Sequence, residues 1–465
     1  MSKKVLDLIV VGSGLSSLSF IDSFLEKNKK IDLISPNIKS KIDKTDINTG
    51  YLPSQMRYSF SEVNNFFFAN KIKNLNNSKV IGSLKFGGLS NYWGLQMDNY
   101  ISDKMSLSKK TQTELNKNFI EFLKKRKIIG EFFYKKKKSY SKNYNLKNFY
   151  NNFSKFSNFI IKKPILGFSQ EKKSEIDLNL INENISKINS INFFRSIKKK
   201  INIHNFYVLK IEKEKNYIKI FCKNLNKEKI FYTKKLILGT GTIATTKIIM
   251  DYLKIKKEVK IKHHPRLISV YFSKFKIHSR MKFTPSLLQI SSSKKNEYTS
   301  DIRPGNYQIT NSIIDLIPII KPISFMINFL QDRLIFSNTL LSSKFSNLFI
   351  KKNKQENELY EIYAKKNNLP LKNLIKKQKK VFNFLKFNKI IYPIYKNFFP
   401  GYGADFHYFG TITMNKKNLL SVNEKCQLKN NKNIYIVDGS VFDFKENRYP
   451  LGIIIANARR IGKLF

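Results

Sequence analysis

Two kinds of residue in this sequence are spaced for chemistry: glycines that can admit a phosphate, and histidines that can move a proton. Gly12-Ser13-Gly14-Leu15-Ser16-Ser17 is the first glycine-rich stretch. In such a turn Gly12 permits the tight bend, and Gly14 lets the backbone approach a pyrophosphate lying at a helix N-terminus. Ser17 stands where a third glycine is usual, and is small enough for close packing of helix on strand. An acidic residue about twenty positions further on normally binds the adenosine ribose. Ser35 falls there, and it brings a hydroxyl without a charge. The chain has five histidines, His204, His263, His264, His278 and His407. Imidazole is the side chain whose ordinary pKa lies nearest neutrality, which makes each a candidate acid or base. His263 and His264 are adjacent, so in a strand they point in different directions, make a poor metal site and are expected to be structural. The two cysteines, Cys222 and Cys426, lack CxxC spacing, which indicates neither a zinc site nor a disulfide framework. No metal site is expected, and no GxSxG or P-loop occurs.

The elements around the glycines give them a context. Val5 to Val11 reads as a buried parallel strand, Leu18 to Lys27 has helical spacing, and Ile31 to Ile34 reads as a second strand. Strand, glycine turn, helix and strand in that order form a dinucleotide-binding βαβ unit. Further on, Phe86-Gly87-Gly88-Leu89-Ser90-Asn91-Tyr92-Trp93-Gly94 suits a loop whose backbone lies against a ligand. Strand-like Phe206 to Ile211 and Tyr217 to Cys222 precede an apolar strand, Lys235 to Leu238, that runs into Gly239-Thr240-Gly241. Ala244 to Leu253 is helical in character. A last strand from Asn433 closes in Asp438-Gly439-Ser440, and a final helix is expected over Leu451 to Leu464.

Taken together, the pattern resembles the glucose–methanol–choline (GMC) oxidoreductases over the first hundred residues, about 200 to 265, and 400 to the end. The matching motifs, in the family's order, are Gly87-Gly88-Leu89-Ser90, Gly241-Thr242-Ile243, His407-Tyr408-Phe409-Gly410-Thr411 with Met414, and Asp438-Gly439-Ser440. The resemblance implies an α/β fold with bound FAD. Its FAD-binding Rossmann-like domain would be discontinuous, built from 1–100, 201–262 and 401–465. A mostly helical insertion over 101–200 and an α+β substrate-binding domain with an antiparallel sheet over 263–400 would complete it. Gly12, Gly14, Leu15 and Ser16 would hold the pyrophosphate, Ser35 would meet the ribose, and the Val208 backbone would meet the adenine. Gly88, Ser90 and Asn91 would approach the flavin ring, and Asp438 and Gly439 the ribityl and pyrophosphate region. Gly241 and Pro450 belong to the same cofactor set. No His or Cys stands in the Gly88 loop for a covalent flavin link.

The resemblance also implies the chemistry. Removing a hydride from an alcohol carbon requires the hydroxyl proton to leave, and a group titrating near neutrality is suited to take it. His407 would be that base. The family's second active-site position, usually His or Asn, falls on Tyr449, with Asn447 and Arg448 as neighbours that could serve instead. A phenol is a poor base at neutral pH, with an ordinary pKa of about 10, but it can hydrogen-bond a substrate oxygen. The implied reaction is oxidation of an alcohol, such as a sugar or polyol hydroxyl, with a separate electron acceptor. An NAD(P)-dependent dehydrogenase, or a flavoprotein that kept the fold without the chemistry, are the alternatives.

Composition narrows the partners. The net charge of +53 is nearly all scattered Lys in a chain also rich in Asn and Ile. Such a bias arises from a low-GC genome, and no zinc finger or RNP sequence accompanies it, so no specific nucleic acid is expected. Weak adhesion to an anionic membrane surface stays open. A cytoplasmic location is expected: Gly12 and Gly14 interrupt the apolar N-terminal run, which lacks a signal-peptide cleavage site. The most apolar stretch, Ile313 to Leu330, contains Asp315, Lys321 and two prolines, which argues against a spanning helix.

Overall fold

The computed structural model describes residues 4–27, 30–36, 60–75, 77–91, 93–94, 96–98, 107–128, 159–162, 164–170, 185–224, 227–275, 286–292, 297–305, 318–323, 325, 333–356, 358–367, 369–415, 418–444 and 449–465. Its main sheet runs in the spatial order 207–214, 217–223, 228–238, 5–11, 31–34 and 201–204, with 431–436 also beside 228–238. Val5–Val11 pairs in parallel with both the 228–238 and 31–34 strands. Ile9, Val10 and Val11 are buried, as an inner parallel strand covered on both faces requires. The 228–238 strand does two jobs. Its first half pairs antiparallel with 217–223, and its second half continues as a parallel neighbour of 5–11 and 431–436.

The first helix, Leu15–Phe24, begins three residues before the periodicity suggests, because Gly14 in extended conformation caps it directly after the turn. All of its residues are buried. The last helix, Leu451–Gly462, lies against it so closely that a Cβ on Gly462 would stand 2.5 Å from the Phe20 carbonyl oxygen. A charged staple fixes this contact. Arg459 Nη1 meets Asp22 Oδ2 at 2.5 Å, and Arg126, just past the Lys109–Lys125 helix, reaches Asp22 Oδ1 at 3.1 Å.

A second sheet is antiparallel throughout, in the order 391–398, 266–273, 334–341, 298–304, 288–292 and 159–162. Leu267, Tyr271, Ile290, Ile302 and Ile335 on one face pack against Leu374, Val381, Phe384 and Leu385 of the Leu369–Phe387 helix. A small sheet of 259–261, 348–352, 360–364 and 72–74 shares the core of the main sheet. The protein is thus an α/β fold, a Rossmann-like layer joined to a sheet-rich part. Among the described residues of 101–200 are two helices, Lys109–Lys125 and Ser190–Ile197, and also short strands. One of these, Phe159–Lys162, forms an edge of the antiparallel sheet. No helix among the described residues is long and apolar enough to cross a membrane.

Removing one partner of a buried ion pair leaves the other charge stranded. Asp22→Leu is therefore expected to lower unfolding free energy by about 3–5 kcal/mol, read from the urea midpoint. The double variant Asp22→Leu/Arg459→Met should recover part of that loss.

Candidate active site

The parallel strands at 5–11, 31–34, 228–238 and 431–436 end together. Gly12, Ser35, the Gly239–Gly241 turn and Asp438 therefore meet around one cleft. Gly12 has φ +101°, its N–H donates to Ile34 O at 2.9 Å, and a Cβ there would collide with the Gly239 carbonyl oxygen. Gly239 in turn packs on Ser17, whose hydroxyl donates to Gly239 O at 3.1 Å. Ser17 thus replaces the usual glycine and adds a bond that a glycine cannot make.

Gly14 is different. Its φ of −67° suits any residue, and a Cβ would meet only Gly87 O, at 3.9 Å. Gly241, with φ +86°, likewise has nothing within 4 Å of where its Cβ would be. These glycines keep space open instead of easing contacts within the protein. They cap the helices Leu15–Phe24 and Thr242–Tyr252, neither of which has an acidic residue in its first turn. Two unneutralised positive helix ends at one cleft fit an anion such as a pyrophosphate.

The expected cofactor residues mostly line this cleft, but several hydroxyls are already used. Ser35 donates to Ser13 Oγ at 2.7 Å, and Ser13 Oγ accepts from the Gly87 N–H at 2.8 Å. Ser35 therefore ties the first turn to the Gly87–Gly88 loop. Within that loop Ser90 donates to Gly87 O at 2.5 Å, and Asn91 Nδ2 donates to Phe86 O at 2.7 Å. Leu15, Ser16, Gly88, Val208 and Gly439 line the cleft. Pro450 opens the last helix, whose Leu451 and Ile454 also line it. The Asp438 carboxylate is filled by the protein. It accepts from the Ser440 and Gly241 N–H groups at 3.0 and 3.1 Å, and from the Ser440 and Thr245 hydroxyls. Burial raises its pKa against those bonds.

His407 stands between Phe406 and Tyr408, which both line the cleft. Its ring centroid is 5.5 Å from that of Tyr449 and 6.1 Å from that of His264. His407 Nδ1, the Tyr449 hydroxyl and His264 Nε2 are buried, and none has a hydrogen-bond partner among the described residues. His264 Nδ1 is held by Leu341 O at 2.9 Å. Burial pushes the His407 pKa down to about 4; Asp405 opposes this, while Arg266 and Arg303 add to it. Burial takes His264 down to about 3. Both imidazoles are neutral at neutral pH. Asp405 lies behind them, with Oδ1 2.8 Å from His263 Nδ1 and Oδ2 accepting the His264 N–H at 2.9 Å. Burial alone would raise Asp405, but the His263 ring and the His264 N–H beside it hold it near 2.

His263 therefore serves structure, whereas the His264 ring lies 6.1 Å from that of His407 and its Nε2 has no hydrogen-bond partner among the described residues. That was not apparent from two adjacent histidines. His204 pairs with Asp32 at 2.8 Å, away from this cluster. His278, Asn447 and Arg448 lie outside the described residues. Cys222 and Cys426 are buried and free. No group of three or more His, Cys, Asp or Glu among the described residues could hold a metal ion.

No protein-family model and no curated protein sequence matches the chain. Its fold is similar to that of pyridoxine 4-oxidase from Mesorbium loti, with a TM-score of 0.63 over 99% of both chains at 10% sequence identity.

Gly12→Ala should destabilise the protein by about 1–3 kcal/mol, because both its backbone conformation and its contact with Gly239 exclude a side chain. Thermal unfolding of the purified variant measures this.

Proposed function

We propose that this protein is an FAD-dependent oxidoreductase acting on an alcohol, with His407 as the proton acceptor and Tyr449 as a donor to the substrate oxygen. One observation carries the reading. Beside a cleft suited to a pyrophosphate, the His407 and Tyr449 rings meet edge to face at 5.5 Å, and His407 Nδ1 and the Tyr449 hydroxyl are buried with no hydrogen-bond partner among the described residues. Buried polar groups are ordinarily bonded, and exceptions concentrate where a ligand completes the set. The similarity to an oxidase of pyridoxine, a molecule with alcohol groups, supports the same class.

The cleft fits the cofactor. Gly14 and Gly241 would let the pyrophosphate lie on two helix N-termini, the Val208 backbone would meet the adenine, and the Gly88 loop the ring system. When bound, FAD supplies a two-electron acceptor for the hydride leaving the alcohol carbon. The chain itself manages the proton. A substrate hydroxyl between His407 and Tyr449 would donate to His407 and accept from the phenol, so the developing carbonyl oxygen keeps one donor as its proton leaves. Neutral His407 is already in the basic form, and Asp405 behind it favours the imidazolium that results. Arg266 and Arg303 oppose that charge, which prevents His407 from being protonated before substrate arrives.

Gly14→Val should fold with near wild-type melting temperature, since its Cβ makes only an ordinary 3.9 Å contact with Gly87 O, yet bind no FAD. Flavin content of the purified variant tests this; wild-type stoichiometry would show that the pyrophosphate lies elsewhere.

His407→Ala should keep its FAD but slow flavin reduction by alcohol by about 10²- to 10⁴-fold. In the wild type, reduction requires His407 unprotonated, so the rate should rise with pH through about 4 and be flat from mildly acid to neutral pH. Stopped-flow reduction across pH should show that limb in the wild type and not in the variant. Tyr449→Phe loses one neutral hydrogen bond and should cost less, about 0.5–1.5 kcal/mol in the barrier.

A further inference from the structure

The antiparallel sheet has one end turned away from the histidines. Its strand 266–273 starts two residues after His264 and runs about 20 Å to Ser273. There Ser273 pairs with Ile391, and Phe272 with Leu334, at the starts of the two flanking strands. The Lys274 N–H donates to Ile390 O at 2.8 Å, and Arg333 Nη1 donates to Lys274 O at 2.7 Å. The connection 305–333 leaves and rejoins the sheet here, with the Gly305 N–H on Leu334 O at 2.6 Å. Residues 388–390 join the Leu369–Phe387 helix to Ile391 at the same end.

Two features set this end apart, and the first is a bulge. Tyr395 lies across from Tyr271 and Ile391 across from Ser273, so Tyr392, Pro393 and Ile394 of the edge strand oppose the single residue Phe272. An edge bulge re-aims side chains, and here all three meet solvent. Tyr392 and Ile394 are 43% and 63% exposed, and Pro393 is exposed as well. Phe387, just before the turn, is 72% exposed, and Ile319 and Phe325 of the connection are 86% and 70% exposed. Exposed apolar residues scattered singly are ordinary, but several grouped on one edge and its adjoining turn mark an interaction surface.

The second feature is charge of one sign. Lys274, Lys386, Lys389 and Lys396 are exposed here, and Lys274 Nζ lies 5.8 Å from the centroid of the Tyr392 ring. Among the described residues of 267–275, 318–325, 333–337 and 381–398 there is no Asp or Glu. Lysine is abundant throughout the chain, but elsewhere acids neutralise it. On the 207–238 strands Lys210 pairs with Glu212 and Lys223 with Glu228. A bulged edge carrying Pro and Lys is a poor template for another strand. A second copy would also bring its own net charge of +53 to the contact. The occupant must offer negative charge and apolar room together, as a bilayer with anionic headgroups does. Ammonium groups can stay among the headgroups while the phenol and the Ile and Phe side chains enter the boundary below them.

We propose that this end of the antiparallel sheet, centred on the Tyr392–Ile394 bulge, docks the protein on the surface of an anionic lipid bilayer without spanning it. The proposal is independent of the reading of His407, which lies near the other end of the 266–273 strand.

The test sediments the purified full-length protein with vesicles of phosphatidylcholine mixed with phosphatidylglycerol, and with vesicles of phosphatidylcholine alone. The wild type should bind the mixed vesicles and leave the neutral ones. Ile394→Ser/Phe387→Ser should weaken binding about tenfold through lost apolar transfer. Lys386→Glu/Lys389→Glu should weaken it about tenfold or more through lost attraction to the headgroups. Because the chain is basic throughout, matched controls go on the 207–238 strands, where Ile230, Lys213 and Lys229 are exposed. Ile230→Ser and Lys213→Glu/Lys229→Glu should bind as the wild type does. All these positions are exposed, so each variant should keep the wild-type melting temperature, and only variants that do are compared. If the controls lose as much binding as the variants at the bulge and turn, adhesion is spread over the whole basic surface and the proposal fails. No binding to the mixed vesicles overturns it equally. So does light scattering that shows a dimer which Ile394→Ser/Phe387→Ser splits, because this end is then a contact between copies of the chain.

Discussion

The close approach of two strand ends, at Gly12 and Gly239, is the contact on which the cleft depends. Their backbones touch where any side chain on Gly12 would collide, and Ser17 locks the junction from the first helix. Because these backbones meet, the helices that follow, from Leu15 and from Thr242, start side by side with their N-terminal ends toward the same opening. Gly14 and Gly241 then leave that opening empty. The division of labour among glycines is physical: one pair makes the protein pack, and the other makes room for a ligand. The Asp22–Arg459 staple holds the first and last helices in register behind this junction, which fixes Tyr449 and Pro450 relative to the first turn.

The second constraint is electrostatic. His407 sits where burial and two guanidinia keep it neutral, while Asp405 favours the protonated form it must reach during reaction. Charged groups opposing one another in a low-dielectric region tune a base without bringing it to rest on a permanent partner, and His407 Nδ1 has none among the described residues. Acids and bases poised in this way are more often found at reacting centres than in structural cores.

Local patterns were readable from sequence where one physical requirement dominated. The strands at 5–11 and 31–34 are nearly continuous apolar runs, each interrupted by one aspartate (Asp7 and Asp32), and both form over those residues. The 228–238 strand begins seven residues before the apolar stretch at 235, because its first half is held by antiparallel pairing with 217–223, which periodicity cannot show. Phe159–Lys162 was hidden for a related reason: four residues in a Lys- and Asn-rich context become a strand only through pairing with 288–292. At the site, glycine spacing and the His407 motif were legible. The use of Ser35 to hold Ser13 was not.

The most direct test of a flavin-dependent alcohol oxidation is the absorbance of the purified, FAD-reconstituted protein before and after anaerobic addition of alcohols. One FAD per chain is expected, with bands at about 370 and about 450 nm, and the longer-wavelength band should vanish when a substrate alcohol is added. A protein that takes up no FAD, or whose flavin stays oxidised with every alcohol while dithionite reduces it readily, would contradict the account.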